Sequence, residues 1–380
     1  MNFDLSDEQE FLQEAARNAL SRVRTVEAAR EALEGAALPD LWPTAAQAGW
    51  TGLLIAERHG GAGLGAIDAM LVAAECGRVL AAVALLGHLP ATALLDADGS
   101  DGALLGRLAA GEARAAYVPA RPGDDRDPSW TAEPRSGRRR APAPVVTAGG
   151  SSDAATVSGT VAWVPDAAGA DVLVVAGVEA DGTPRAVLLD GSAAGVSVEA
   201  TTAYDATRPL GHVTLDGASG RLLDVSPDDV AAAWYLAHAL IAAESLGAVE
   251  ESLRRSVEYA KERYTFGRPI GSYQAVKHAL TEVLRQQENA RSLLYYAGWA
   301  HGSKRDELPL AASAARSAAG GALDYAAREL ISVHGGIGAT WEHDAPLFFR
   351  RAQLSRRLLA GTGDATDRVA GELLSAATPA

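Results

Sequence analysis

The hydrophobic period changes in the middle of the chain, and that change limits the possible folds more than any other feature. Up to about Ala110, and again from Ser226, apolar residues recur at helical spacing. Residues 118–225 are instead rich in Pro, Gly, Asp, Thr and Val, with short apolar runs between turn signals. Val172-Leu173-Val174-Val175-Ala176 and Ala186-Val187-Leu188-Leu189 predict two strands, joined by a turn over Glu179-Ala180-Asp181-Gly182-Thr183-Pro184. Thr156 to Val164 and His212 to Leu215 predict further strands of a small sandwich or barrel of about 100 residues. At 380 residues the chain exceeds one ordinary core. We therefore expect an α+β multidomain protein: an N-terminal helical domain over 1–116, a central β-sandwich or barrel over 117–225, and a C-terminal four-helix bundle over 226–380.

The helical parts carry their own start signals. Leu5-Ser6-Asp7-Glu8 reads as an N-cap with acidic residues in the first turn, followed by apolar Phe11, Leu12, Ala15, Ala16 and Ala19. Helical pattern breaks at the glycines of 60–63, resumes from Ala66 to Leu95, and returns over Leu104 to Ala110. Ser226-Pro227-Asp228-Asp229 is an N-cap with Pro at the first helical position. Four helices over 227–263, 272–301, 307–333 and 344–372, joined by short loops, predict an antiparallel bundle. The longest apolar run, Ala231 to Val249, holds His238 and Glu244 near its middle, so a buried core helix explains it better than a membrane span. Arg135 to Pro144 lacks periodicity and reads as an exposed loop.

Charge excludes several partners. A formal net charge of −14 repels nucleic acid and anionic membranes, so an anionic ligand needs a local basic pocket. The single cysteine, Cys76, rules out an intrachain disulfide framework and reads as a small buried hydrophobe. Met1 to Glu10 shows no secretory signal, which predicts a cytoplasmic protein. Trp341-Glu342-His343-Asp344 has no second cluster at ligand spacing, so no metal is expected. Arg350, Arg351, Arg356 and Arg357 fall at helical spacing and read as a solvated face.

The most informative run is Tyr259 to His278. It describes a helix ending in positive charge, a Phe266-Gly267-Arg268-Pro269 turn, and a new helix opening at Ser272. Arg263 and the first amides of that helix would form an anion site, since a guanidinium and a helix N-terminus both favour phosphate. This run resembles a signature of the acyl-CoA dehydrogenase family, approximately R-x-x-F-G-x-x-(I/L)-x-x-x-Q. His334-Gly335-Gly336-Ile337-Gly338 resembles the family's second signature. The opening Phe3-Asp4-Leu5-Ser6-Asp7-Glu8-Gln9 and the loop Gly60-Gly61-Ala62-Gly63-Leu64-Gly65 are also similar to family tracts.

The resemblance implies FAD bound between the β domain and the bundle, with a neighbouring subunit supplying part of the adenine-side contact. Arg263, Thr265, Phe266 and Gln274 would hold the pyrophosphate and adenine end, and Gly335, Gly336 and Gly338 would give close backbone approach. Ser332 stands where many relatives carry a glutamine. Family chemistry is α,β-desaturation of an acyl-CoA thioester, in which a carboxylate takes the α-proton while hydride leaves the β-carbon for flavin.

The family places its glutamate at one of two positions, and here they hold Ala360, or Leu359 by an ungapped count, and Ala237. His238 stands where many relatives use arginine. The tracts Tyr117 to Gly123 and Trp163-Val164-Pro165-Asp166 lack the hydroxyl donors that active relatives place near the flavin ring. Glu244 lies two turns beyond Ala237 on one helix face, in apolar surroundings, and is the candidate substitute base. Three roles follow. The chain is an FAD-dependent acyl-CoA dehydrogenase using Glu244, with acyl-CoA as substrate and an electron-transfer acceptor. Or it is an incomplete subunit of a heteromer whose paralogous partner carries the base. Or it has turned the fold to another flavin reaction or to ligand binding. A homo-oligomer goes with the first role.

Overall fold

The computed structural model describes residues 4–99, 101–124, 127–134, 140–149 and 153–377. The N-terminal layer contains α1 (Asp7–Ser21), α2 (Thr25–Ala32), α3 (Trp42–Gln47), α4 (Ala66–Arg78), α5 (Leu85–Asp98) and α6 (Gly102–Ala109). Ser6 caps α1 as its position predicts: its hydroxyl accepts from the Gln9 amide at 3.3 Å, and the Gln9 side chain accepts from the Ser6 amide at 3.1 Å. The helix expected over 66–95 is two helices. Leu80 turns into the left-handed region at φ 52° between them, and the Ala81 amide closes the turn onto the Cys76 carbonyl.

The central strands are β1 (Ala115–Val118), β2 (Trp130–Ala132), β3 (Arg140–Pro142), β4 (Val145–Ala148), β5 (Ala154–Pro165), β6 (Val172–Val178), β7 (Pro184–Asp190), β8 (Val196–Thr201) and β9 (Leu210–Leu222). Pairing runs β6–β4–β5–β9–β7 and returns from β7 to β6, so the sheet closes into a five-stranded barrel. β1 adds in parallel to β6, and β8 adds to β9. Inside sit Val157, Val161, Leu173, Val175, Val187, Leu189 and Val213, the apolar residues whose alternation marked the strands. Of the loop expected over 135–144, residues 135–139 lie outside the described residues. Arg140–Pro142 is not loop but the strand β3, paired with β2.

The C-terminal part contains α7 (Pro227–Glu262), the short strands β10 (Tyr264–Thr265) and β11 (Arg268–Pro269), then α8 (Gln274–Ser303), α9 (Leu308–His334), α10 (Ala345–Ser355) and α11 (Gly361–Ala377). Helix α7 is the buried core helix that the Ala231–Val249 run implied. It crosses α4 backbone to backbone: a Cβ on Gly77 would meet the Glu244 carbonyl at 1.9 Å, and one on Gly247 the Ala74 carbonyl at 1.8 Å. Only glycine fits there. Helix α8 opens two residues later than expected, after a 3-10 turn over Ile270–Ser272, and Ser272 bonds back to the Pro269 carbonyl instead of capping it. The fourth helix expected over 344–372 is broken at 356–360, where Leu359 and Ala360 adopt φ 49° and 65°. That break forms one wall of the cavity described next.

Candidate functional site

Two places in the fold have the chemistry of a ligand site. The first is the hairpin after α7. Its register pairs Tyr264 with Pro269 and Thr265 with Arg268, leaving Phe266-Gly267 as a two-residue loop with φ 51° and 77°. The Phe266 ring is 93% exposed, an outward aromatic on a left-handed residue, which is strained for anything but glycine. Arg263, Thr265 and Gln274 are exposed beside it, and no carboxylate pairs with Arg263 among the described residues. The Arg268 guanidinium lies 4.1 Å over the Tyr273 ring, whose hydroxyl donates to the Thr265 carbonyl, so the hairpin is braced. The first amides of α8 have no side-chain cap.

The glycine turn sits close by. The Arg263 amide bonds to the Tyr259 carbonyl, and the Tyr259 ring stacks on His334 at 4.2 Å, directly before Gly335. Gly335 and Gly336 are exposed, with open space where a Cβ would stand. Gly338 differs. It is buried, and a Cβ there would strike the Ile331 carbonyl at 2.6 Å, so its own fold requires that glycine. Arg263, Thr265, Phe266, Gln274, Gly335 and Gly336 thus share one exposed region without being enclosed.

The second place is a cavity of 360 Å³ between the barrel and the C-terminal helices. Trp130, Thr131, Ala162, Trp163 and Tyr204 line it from the barrel side, and Trp234, Leu354, Arg357, Leu358, Leu359 and Ala360 from the helices. Strained backbone collects here: Trp163, at a bulge in β5, has φ 59°, and Leu359 and Ala360 are also left-handed. The indole N–H groups of Trp130 and Trp163 are buried without an acceptor. Among the described residues, none that lines it is an acid.

Behind the broken helix, His238 donates its Nε2–H to the Leu359 carbonyl at 3.0 Å, and Arg316 donates to the carbonyls of Ser355 and Leu358. These two side chains take up carbonyls that a continuous helix would have bonded, which is why α10 can stop here. Burial, with Arg316 nearby, holds the His238 imidazole down to about 3, so it is neutral and unsuited to proton transfer near neutral pH.

Next to Trp130, whose carbonyl accepts from the Arg121 amide at 2.8 Å, the Arg121 side chain bonds Asp364 at 2.9 Å and Asp124 at 3.0 Å. The groove past it, 520 Å³, sets Asp124, Asp127, Asp364, Asp367 and Glu372 against Arg121, Arg140 and Arg368. Acids outnumber bases, which disfavours a diphosphate.

Glu244 lines neither place. It is buried, and both its oxygens accept from the Arg208 guanidinium, one of them at 3.2 Å, with Arg351 4.0 Å away. Arg351 in turn bonds Asp205 at 2.6 Å. Burial alone would lower the Arg208 pKa, but Glu244 outweighs it and the guanidinium is held above its ordinary value. Glu244 thus sits away from the cavity, with both oxygens bonded to Arg208 from the segment before β9 and Arg351 of α10 within ion-pair reach, an arrangement that ties the barrel side to α7 and α10. The solvated face expected for Arg350, Arg351, Arg356 and Arg357 holds at Arg356 and Arg357, which are exposed, and fails at Arg351. Arg351 is buried, Arg350 stacks 4.4 Å over Tyr204, and Arg357 lines the cavity.

Acyl-CoA dehydrogenase IpdE2 of Mycobacterium tuberculosis H37Rv is 33% identical over 328 residues, spanning 86% of this chain and 84% of that protein. The chain belongs to the acyl-CoA dehydrogenase family. The N-terminal and C-terminal domain models of acyl-CoA dehydrogenases match residues 6–112 and 232–372. Among solved structures, the ChsE4–ChsE5 complex from M. tuberculosis is similar over 100% of both chains, with a TM-score of 0.85 and 25% identity. The steroid acyl-CoA dehydrogenase Tcur3481–Tcur3483 is similar over 98% of this chain and 99% of that one, with a TM-score of 0.85 and 28% identity. More distant structures share the fold and were solved with FAD.

Within this acyl-CoA dehydrogenase fold, Ala360 lines the cavity and Ala237 lies in an apolar core. Sequence reasoning missed Trp130, Tyr204 and Trp234, for which no motif exists, and Arg208, whose partner is 36 positions away.

Near Arg208, Asp166 is buried and accepts from the Gly87 amide at 2.9 Å; burial pushes its carboxyl up to about 6 from an ordinary 3.8. The folded chain therefore holds this proton more tightly than the unfolded chain. Its favourable contribution is complete below about pH 4 and is lost as pH rises through about 6. Asp166→Asn keeps an acceptor for Gly87 and should stabilise the chain by roughly 2–3 kcal/mol at about pH 7.5, the gain vanishing near pH 4. Thermal unfolding of both proteins across that range tests it, and a pH-independent difference would refute it.

Proposed function

We propose that this chain is a catalytically incomplete subunit of a heteromeric acyl-CoA dehydrogenase. It lends its nucleotide-binding turns to an FAD whose chemistry occurs on a paralogous partner. The single observation that carries this reading is a cavity without an acid among the described residues: α-proton removal needs a positioned carboxylate, and of the described residues that line it Arg357 and Tyr204 alone are ionisable. The exposed half of the site points the same way. Arg263, Thr265, Phe266 and Gln274 with Gly335 and Gly336 suit the phosphates and adenine of a dinucleotide held against another subunit.

The chain's own cavity fits a complete FAD poorly, because the tracts Tyr117 to Gly123 and Trp163 to Asp166 lack the ring-side hydroxyl donors that the family resemblance implies. FAD supplies the hydride acceptor for the β-carbon of an acyl-CoA; this chain's residues hold its nucleotide end. The similar solved assemblies named for two components each, ChsE4–ChsE5 and Tcur3481–Tcur3483, support pairing with a paralogue, and the steroid named in the second suggests a ring-bearing acyl group.

The visible spectrum decides. Purified alone, the chain should be colourless. Co-expressed with a family paralogue that carries the glutamate, it should co-purify as a yellow complex whose flavin bleaches with acyl-CoA. A yellow single chain that bleaches by itself would refute the proposal, as would failure to associate with any such paralogue.

A further inference from the structure

If the cavity is not used for flavin turnover, its chemistry still describes a ligand. Three of its walls are indole rings, each fixed by a neighbour: Trp130 under the Arg140 guanidinium at 4.6 Å, Trp163 edge-on to His212 at 4.7 Å, and Trp234 against His238 at 4.8 Å. Rigid flat faces favour flat ring systems over a straight alkyl chain, which would lose more rotamer freedom for less contact. The volume of 360 Å³ lies at the small end of ligand pockets, the size of a few fused rings. Two buried indole N–H groups without acceptors ask for an acceptor atom on the ligand.

Charge sets the remaining feature. Arg357 lines the cavity, is exposed, and has no carboxylate partner among the described residues. Its neighbours are otherwise engaged: Arg350 donates to the Tyr204 carbonyl at 2.9 Å and Arg356 faces Asp324 at 3.5 Å. With no acid in the lining, an anionic head at this rim meets attraction without opposition.

We infer that the cavity of this subunit is a binding site for a flat, fused-ring carboxylate, which it holds without turning over. The inference rests on the proposed incomplete-subunit role, and its test is separate from the flavin measurement.

The full-length chain is titrated with anthracenecarboxylate and followed by calorimetry and by energy transfer from tryptophan. Saturable one-to-one binding is expected. Arg357→Gln, an exposed substitution that leaves the core untouched, should weaken it by about tenfold or more, the loss of one charge-assisted bond. Uncharged anthracenemethanol should bind wild type and variant alike. Decanoate should not displace the ring acid. Absence of saturable binding overturns the inference, as does indifference to Arg357→Gln or equal competition by decanoate. Stoichiometric displacement by FAD would return the cavity to the flavin and also overturn it. A chain that is colourless yet fails to bind the ring acid sinks this inference alone.

Discussion

Glu244→Gln is expected to destabilise the chain by about 3–5 kcal/mol, because it leaves the buried Arg208 guanidinium without its counter-charge. Asp205 continues to balance Arg351, so the loss centres on one cation. Denaturant unfolding of the single variant should show the full loss. The double replacement Glu244→Leu with Arg208→Met should recover most of it, since a buried ion pair and an apolar pair of similar size are often near equal in stability. A catalytic glutamate would behave in the opposite way, with Gln preserving stability and removing turnover. Near wild-type stability of Glu244→Gln would therefore restore it as a candidate base.

Arg263→Gln should lower the affinity of the co-purified complex for FAD by about 10–100-fold, the worth of a charge-assisted contact to phosphate, with the melting temperature of the chain unchanged. The thermal indifference follows from exposure: among the described residues Arg263 has no ion-pair partner whose loss would be felt. Trp163→Phe in the cavity should leave FAD retention intact. Equal losses from the two variants would mean that the flavin lies in this chain's own cavity, and no loss from Arg263→Gln would remove the hairpin from the cofactor site.

Local signals were legible in the sequence. The Ser6 and Ser226 caps, the β6–β7 hairpin and the core character of α7 each depend on residues near one another in the chain. The family resemblance reached further, placing Ala360 at a position that lines the cavity. The break at 356–360 was missed because its cause is tertiary: His238 and Arg316, on other helices, bond the carbonyls that let α10 end. Left-handed Leu359 and Ala360 are not residues that announce a turn. Glu244 was ambiguous for the same reason. An apolar helix around a carboxylate is equally the setting of a base and of a buried anchor, and the arginines that decide come from the segment before β9 and from α10. Gly335, Gly336 and Gly338 looked alike in sequence, yet the fold demands Gly338 by packing and Gly335 by its φ of 65°, and neither applies to Gly336.

Closure of the barrel bears on how such a subunit finds its mate. Each of the five ring strands has a neighbour on both sides, so the ring presents no main-chain edge for another polypeptide to extend. Among the described strands, β1 and β8 lie outside the ring with one side unpaired, so across the ring itself recognition of a sister chain falls to side chains, which point substitutions can revise while the backbone scaffold stays as it is. A duplicated gene could in this way shed its reactive groups and still keep a distinct companion.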